Sequence, residues 1–328
     1  MEIKIENFFL SCSEIDFGAV NLSDGEKEFC SELNNEVFSL CKSLPESTQT
    51  QALLLFMEYF RISFGQEYSF FMNYYAPAWS IIYWLIHSGS ESKRLTIEDI
   101  ENARTAHGMA LLLHPLDDHL NDGQLPVTHL TLLLRSQAWM IMNNSMKGLA
   151  EKLDGGRQIY QDFIDDYYTG ITSSEKIKSL NDYEDLFRKQ MATGFVAPVL
   201  LSKMTTGDQN FARAIQAIYG SFGIAWRLLD DINDFKTDML KGSKSAIYTC
   251  LPETIRKYWG KDTKDKNSDG NRIILDFILE NSIIEKILER MYVELESAAE
   301  TAEEYYLTGL AAEFRCLASP FKNRQYLL

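Results

Sequence analysis

From about residue 25 onward, apolar side chains recur at three- and four-residue intervals, the repeat of a helix with one buried face. The repeat predicts helices near 26–43, 49–63, 68–87, 97–113, 125–152, 156–169, 182–203, 208–235, 245–258, 271–280 and 282–317. Start signals support several of them. Ser23-Asp24-Gly25-Glu26 and Thr96-Ile97-Glu98-Asp99 have capping-box spacing, and Asn181 or Asp182 is expected to cap the helix beginning near Tyr183. Breaks fall at Ser88-Gly89-Ser90, Gly123-Gln124-Leu125-Pro126 and Gly155-Gly156, and a polar loop runs from Gly260 to Gly270. There are no convincing alternating strand pairs, and only seven prolines interrupt the chain, so the fold class is all-α. No break is long enough for a clear linker and no repeat of solenoid length is visible, so residues 1–328 are expected to form a single domain.

Composition narrows the function classes. Apolar residues make up 45% of the 328 positions, enough for a large core, yet no run of about 18 apolar residues exists to span a membrane. The N-terminal MEIKIENFFL lacks a basic segment followed by a cleavage site, so retention in the cytoplasm is expected. Cys12, Cys30, Cys41, Cys250 and Cys316 are odd in number and scattered, which reads as reduced thiols and not as a zinc site or disulfide frame. A formal charge of −15 argues against nucleic-acid binding, which needs clustered Lys and Arg. An anionic substrate would need metal ions to bridge it to so acidic a surface.

Two acidic clusters could hold them. Asp117, Asp118 and Asp122 follow the apolar run 110–113; Asp230, Asp231, Asp234 and Asp238 follow the run 224–229. On a helix Asp118 and Asp122 share a face, as do Asp230, Asp234 and Asp238. Carboxylates so spaced repel by roughly 0.2–0.5 kcal/mol per exposed pair, and more when shielded from water. A single cluster reads equally well as a solvated acidic face. Two of them, each ending a core-like helix and 113 positions apart (117 to 230), point instead to hard divalent cations held by oxygen.

The run 219–235, with Asp230-Asp231-Ile232-Asn233-Asp234, resembles the second aspartate-rich motif of the polyprenyl synthase family. Residues 238–246 resemble that family's segment in which a lysine meets the substrate diphosphate. The resemblance extends loosely from about residue 100 to the C-terminal helices and is most specific over 219–246. It implies the class I isoprenoid synthase fold, a helical bundle around a deep apolar pocket with two Asp-bearing helices facing each other at its mouth. It further implies three Mg²⁺ ions that bind the diphosphate of a prenyl diphosphate substrate and promote its departure. Diphosphate leaves readily only when its developing charge is neutralised. By resemblance, Asp117, Asp118, Asp122, Asp230, Asp234 and Asp238 are the metal ligands. Arg188, Lys189, Arg227, Lys241 and Lys244 are the diphosphate donors, although each could equally lie on a solvated helix face. Arg188 ends a Tyr183–Arg188 segment placed like the diphosphate-sensing arginine of terpene synthases, and is grouped with Asp117, Asp118 and Asp230 as catalytic. A homodimer is compatible with this resemblance.

Departures from the family pattern bear on the reaction. Chain-elongating members carry an early basic segment for a second diphosphate; here 63–71 contains no Lys or Arg. Paired arginines after the first motif are replaced by Gly123-Gln124-Leu125-Pro126, the family's Lys-Thr-Gly by Ala192-Thr193-Gly194, and its Phe-Gln by Trp226-Arg227. These losses favour a terpene synthase acting on one allylic diphosphate. A prenyltransferase is the alternative, either elongating or transferring to an acceptor without diphosphate, and a non-catalytic partner subunit stands third. Aromatics crowd 56–84, where some could line the pocket although most such residues are core. Pro115 is expected to kink the helix before Asp117. In related prenyltransferases the residues four and five positions before the first aspartate floor the pocket, here Leu113 and Leu112.

Overall fold

A computed structural model of the chain describes residues 2–63, 69–71, 74–88, 95–173, 177–260 and 269–322. The anticipated breaks at 89–90 and 261–268, and residues 64–68 of the stretch without basic residues, lie outside them. Every regular element among the described residues is helical. The chain opens with α1 (Glu2–Ser13), α2 (Asp24–Lys42), α3 (Glu46–Tyr59), α4 (Pro77–His87) and α5 (Ile97–Asn121). It continues through α6 (His129–Ala150), α7 (Gly156–Thr172), α8 (Leu180–Gln190), α9 (Ala192–Thr206) and α10 (Gln209–Asn233). Short α11 (Phe235–Lys241), α12 (Ala246–Cys250) and α13 (Glu253–Arg256) lead to α14 (Asp269–Glu280), α15 (Ile283–Glu304) and α16 (Thr308–Lys322). Two 25-residue helices, α5 and α10, organise the bundle: α5 packs on α6 and α9, and α10 on α9 and α15. No helix among the described residues is long and apolar enough to cross a membrane.

Both expected capping boxes form, Ser23 with Glu26 and Thr96 with Asp99. The cap of α8 is Ser179, with Asp182 as its partner three residues on, so neither Asn181 nor Asp182 is the capping residue. The expected helix over 182–203 is two helices broken at Met191, and 282–317 is two helices broken at Tyr306, whose φ of 62° leaves the helical region. Pro252 splits 245–258 by forcing Leu251 into extended backbone. In contrast, α4 starts later than its pattern, at Pro77. The amphipathic repeat does not anticipate α1, which buries Phe8, Phe9 and Cys12 and sets Phe9 5.2 Å from Phe235.

Helix α5 continues without a break through Pro115 to Asn121. A proline there has no N–H for the carbonyl of Leu111, one turn back. Tyr74 supplies the missing donor: its hydroxyl reaches that carbonyl at 2.9 Å. Tyr74→Phe should therefore cost about 1–2 kcal/mol by orphaning a shielded acceptor. The same change made on Pro115→Ala, which restores the helical N–H, should cost far less. Urea unfolding of the two single variants and the double variant measures the coupling, and strictly additive losses would refute this pairing.

Glu313 on α16 is buried against α4, accepting from Ser80 and from the Trp84 indole, each at 2.5 Å. Burial pushes its carboxyl up to about 8; the Ser80 and Trp84 donors oppose that, and nearby Glu26 adds to it. Raised in the folded state, this group contributes stability that is full below about pH 4.5 and is lost as the pH climbs through about 8. The contribution is on the order of 3–5 kcal/mol. Glu313→Gln should flatten the fall in unfolding free energy between pH 5 and pH 8. An unchanged slope in that variant would show that other groups produce it.

Candidate active site

An apolar cavity of about 290 Å³ lies between α5 and α10. Helix α5 contributes Ala110, Leu111, His114, Pro115 and His119; α10 contributes Tyr219, Phe222, Gly223 and Trp226. Tyr59, Phe60, Tyr74, Tyr75, Ala78, Phe187, Met191, Thr193 and Gly194 complete the wall. Of the aromatic-rich stretch 56–84, four rings thus reach the cavity, whereas Phe56, Phe70, Phe71 and Trp79 are buried in the core. A Cβ at Gly223 would come within 2.3 Å of the Met191 thioether, the flexible end of a cavity-lining side chain that would have to move aside. The cavity floor is knit by the Ala78 carbonyl, which accepts from Tyr219 at 3.0 Å and lies 2.7 Å from Nε2 of His107. Burial pushes the His107 imidazole down to about 4, so it is neutral.

Leu112 and Leu113, expected to floor the cavity, are buried but do not line it. The helical phase explains why. The cavity-facing stripe of α5 is 110–111, 114–115 and 119, which leaves 112 and 113 pointing into neighbouring helices.

The same phase carries each stripe into carboxylates. Four residues beyond His114 is Asp118, and four further is Asp122; four beyond Trp226 is Asp230, then Asp234 and Asp238. Asp118 and Asp122 are exposed, Asp122 closing α5 ahead of left-handed Gly123. Burial, opposed by Arg227 and reinforced by Asp231, Asp234 and Asp118, pushes the Asp230 carboxyl up to about 6. Burial, reinforced by Asp231, Asp234 and Asp230 and opposed by Arg227, pushes Asp238 up to about 7. Asp118 and Asp230 thus lie at the ends of the two stripes, on α5 and α10, that line one cavity. Burial pushes the imidazole of His114, one turn below Asp118, down against the opposing charges of Asp118 and Asp117, and the ring sits 5.7 Å from that of Trp226.

Asp117 has a different place. Its two oxygens accept from Arg135 of α6 at 2.9 and 2.8 Å, and Tyr167 of α7 donates to one of them at 3.2 Å. Arg135 in turn lies 5.0 Å over the Trp139 ring. Neither Arg135 nor Tyr167 was marked by the sequence, because nothing in either helix's own repeat announces a partner elsewhere.

Asp231, the second acid of its cluster, is an anchor. It is buried, accepts from the Ala246 backbone N–H at 2.7 Å and pairs with Arg227 at 3.0 Å. It thereby pins the start of α12 beneath the mouth. Arg227 also donates to Tyr183 at 2.7 Å and pairs with Asp230 at 3.3 Å. Burial works against its charge, but Asp231, Tyr183 and Asp230 hold it firmly protonated. Its guanidinium is thus tied inside the second cluster. Lys241 and Lys244 are exposed at the end of α11 and in the turn that left-handed Gly242 opens, so the Asp231 anchor holds Lys244 close to the second cluster.

Arg188 and Lys189 are not brought to the cavity. Phe187 faces it, and the next residue on a helix points about 100° away. Arg188 instead pairs with Asp185 at 2.9 Å and lies 3.9 and 3.8 Å from Glu184 and Glu294. With Lys189 and Arg213 it lines a separate groove on the outer side of α10.

The donor chemistry suits a hard cation: carboxylate oxygens crowd the mouth and repel one another. Among the described residues no three His, Cys, Asp or Glu side chains converge on one point. A divalent ion there would take one or two carboxylates from the chain and complete its shell with other oxygens, as Mg²⁺ commonly does.

No protein-family model matches the chain, and no curated protein does. Solved structures do. A geranylgeranyl pyrophosphate synthase from Corynebacterium glutamicum superposes with a TM-score of 0.67 at 12% identity, covering 96% of this chain and 97% of that one. The geranylgeranyl pyrophosphate synthetase from Pyrococcus horikoshii gives 0.61 at 13% identity, over 98% and 100% of the two chains. The Corynebacterium synthase complexed with isoprenyl diphosphate and magnesium gives 0.60 at 13%, over 93% and 100%. At such identities the likeness speaks for architecture, and this chain has the all-α fold of the class I isoprenoid synthases, in the form found in polyprenyl synthases.

Proposed function

We propose that this protein is a divalent-metal-dependent prenyltransferase that ionises an allylic prenyl diphosphate. One observation carries the reading: the apolar stripes of α5 and α10 both line one cavity and both run, one turn on, into carboxylates. The prenyl tail lies between the stripes, where Tyr74, Tyr75, Phe187 and Trp226 exclude water and offer ring faces to developing positive charge. The diphosphate stays at the mouth, with Lys244 and Lys241 on its side of the site. Magnesium, when bound, supplies neutralisation of the leaving diphosphate. Asp118, Asp122, Asp230, Asp234 and Asp238 are the oxygen donors suited to hold it.

The terpene synthase favoured by the sequence gives way here to the prenyltransferase alternative. The solved structures compared above are prenyl diphosphate synthases, one of them in complex with isoprenyl diphosphate and magnesium. The absence of Lys and Arg from 63–71 supports an acceptor other than a second diphosphate.

The test is diphosphate release from geranyl, farnesyl and geranylgeranyl diphosphates with Mg²⁺ or with a chelator, each with and without isopentenyl diphosphate. Metal-dependent release that stops in chelator is the expected result. An elongated diphosphate product would identify the acceptor as isopentenyl diphosphate. A cyclic hydrocarbon as main product would restore the terpene synthase, and release unaffected by chelator would remove the metal from the reading.

A further inference from the structure

The two adjacent acids of the first cluster do different work. Building on the metal-dependent reading above, we infer that Asp118, not Asp117, is the metal ligand contributed by this part of α5, and that Asp117 is a structural clamp for Arg135.

Both oxygens of Asp117 are engaged by the planar guanidinium of Arg135, in the two-pronged geometry that gives the strongest carboxylate hydrogen bonds. Tyr167 takes a further position on one of them. A divalent ion on Asp117 would have to sit beside a guanidinium that is itself seated against Trp139, so binding would mean breaking the clamp or placing two cations side by side. Asp118 carries no such burden. It is exposed and continues the cavity-facing stripe one turn beyond His114. Its one-turn neighbour Asp122 is exposed on the same face. The clamp has its own purpose. Pro115 removes one intrahelical N–H just before this turn, and Arg135 and Tyr167 fasten the end of α5 to α6 and α7.

The test is binding of Mn²⁺ together with inorganic diphosphate, measured calorimetrically on wild type, Asp117→Asn and Asp118→Asn. Asp118→Asn should weaken binding about 10–100-fold, while Asp117→Asn should stay within about threefold of wild type and lose thermal stability instead. Equal losses in both folded variants would overturn the assignment. Should Asp117→Asn fail to fold, anomalous scattering from wild-type crystals soaked in Mn²⁺ and diphosphate decides the matter. An ion bonded to an Asp118 oxygen supports the inference, and one bonded to Asp117 overturns it. A wild-type protein that binds no Mn²⁺ in the presence of diphosphate would sink the metal-dependent reading itself, which is a distinct result from equal losses in the two variants.

Discussion

Asp230→Asn should reduce metal-dependent diphosphate release by about 10²–10³-fold, the usual scale for losing one element of transition-state charge stabilisation. It should do so without weakening the fold. The Asp230 side chain is half-exposed, but partial burial and the charges of Asp231, Asp234 and Asp118 make its ionised form a burden to the metal-free protein that Arg227 only partly relieves. Asparagine keeps the shape and removes that burden, and the melting temperature without metal should hold or rise. Asp231→Asn, one position along, should behave in the opposite way. It breaks a buried pair with Arg227 and weakens the grip on the Ala246 N–H, at a cost of about 3–5 kcal/mol. Thermal melts by circular dichroism, read beside diphosphate release, separate the two signatures. Undiminished turnover in Asp230→Asn would remove it from the metal site, and an Asp231→Asn protein as stable as wild type would refute the anchor.

The second large effect concerns chain length. Ala110 lies eight residues before Asp118, about 12 Å along the helix, and Tyr219 eleven before Asp230, about 16 Å. These residues mark the inner end of the cavity, where Ala78, Ala110 and Gly194 leave room that larger side chains would take. Ala110→Phe should fill that end and shift preference towards shorter allylic diphosphates by about 10²-fold in competition between farnesyl and geranylgeranyl substrates. Each methylene kept out of the pocket forfeits about 0.8 kcal/mol of burial, so excluding the terminal isoprene unit is enough to produce such a shift. Leu112→Phe and Leu113→Phe should leave the preference unchanged and instead strain a packed core by about 1–3 kcal/mol. A shift caused by either leucine variant, or none caused by Ala110→Phe, would mean that another face of α5 lines the bound substrate.

Much of this molecule follows from its one-dimensional pattern. The helical repeat, the capping boxes at Ser23 and Thr96, and the position of both acidic clusters at the ends of long apolar helices are local properties, governed by the three- and four-residue geometry of the backbone itself. The fold class follows from them, whereas the expectation of an acidic mouth over an apolar pocket comes from the resemblance of residues 219–246 to the polyprenyl synthases. Other features were settled only when the helices packed. The break at Tyr306 rests on a left-handed residue that carries no glycine to announce it, and α1 is held by contact with Phe235, far along the chain. Whether Asp117 or Asp118 faces the mouth, whether Phe187 or Arg188 reaches the cavity, and whether the wall is Leu111 or Leu112 all turn on the rotation of one helix about its own axis. A single residue changes that direction by about 100°. Core packing sets the rotation, through side chains contributed by several other helices. The partners that decide the outcome, such as Arg135 for Asp117 and Ala246 for Asp231, therefore leave no trace in the repeat of the helix they act upon.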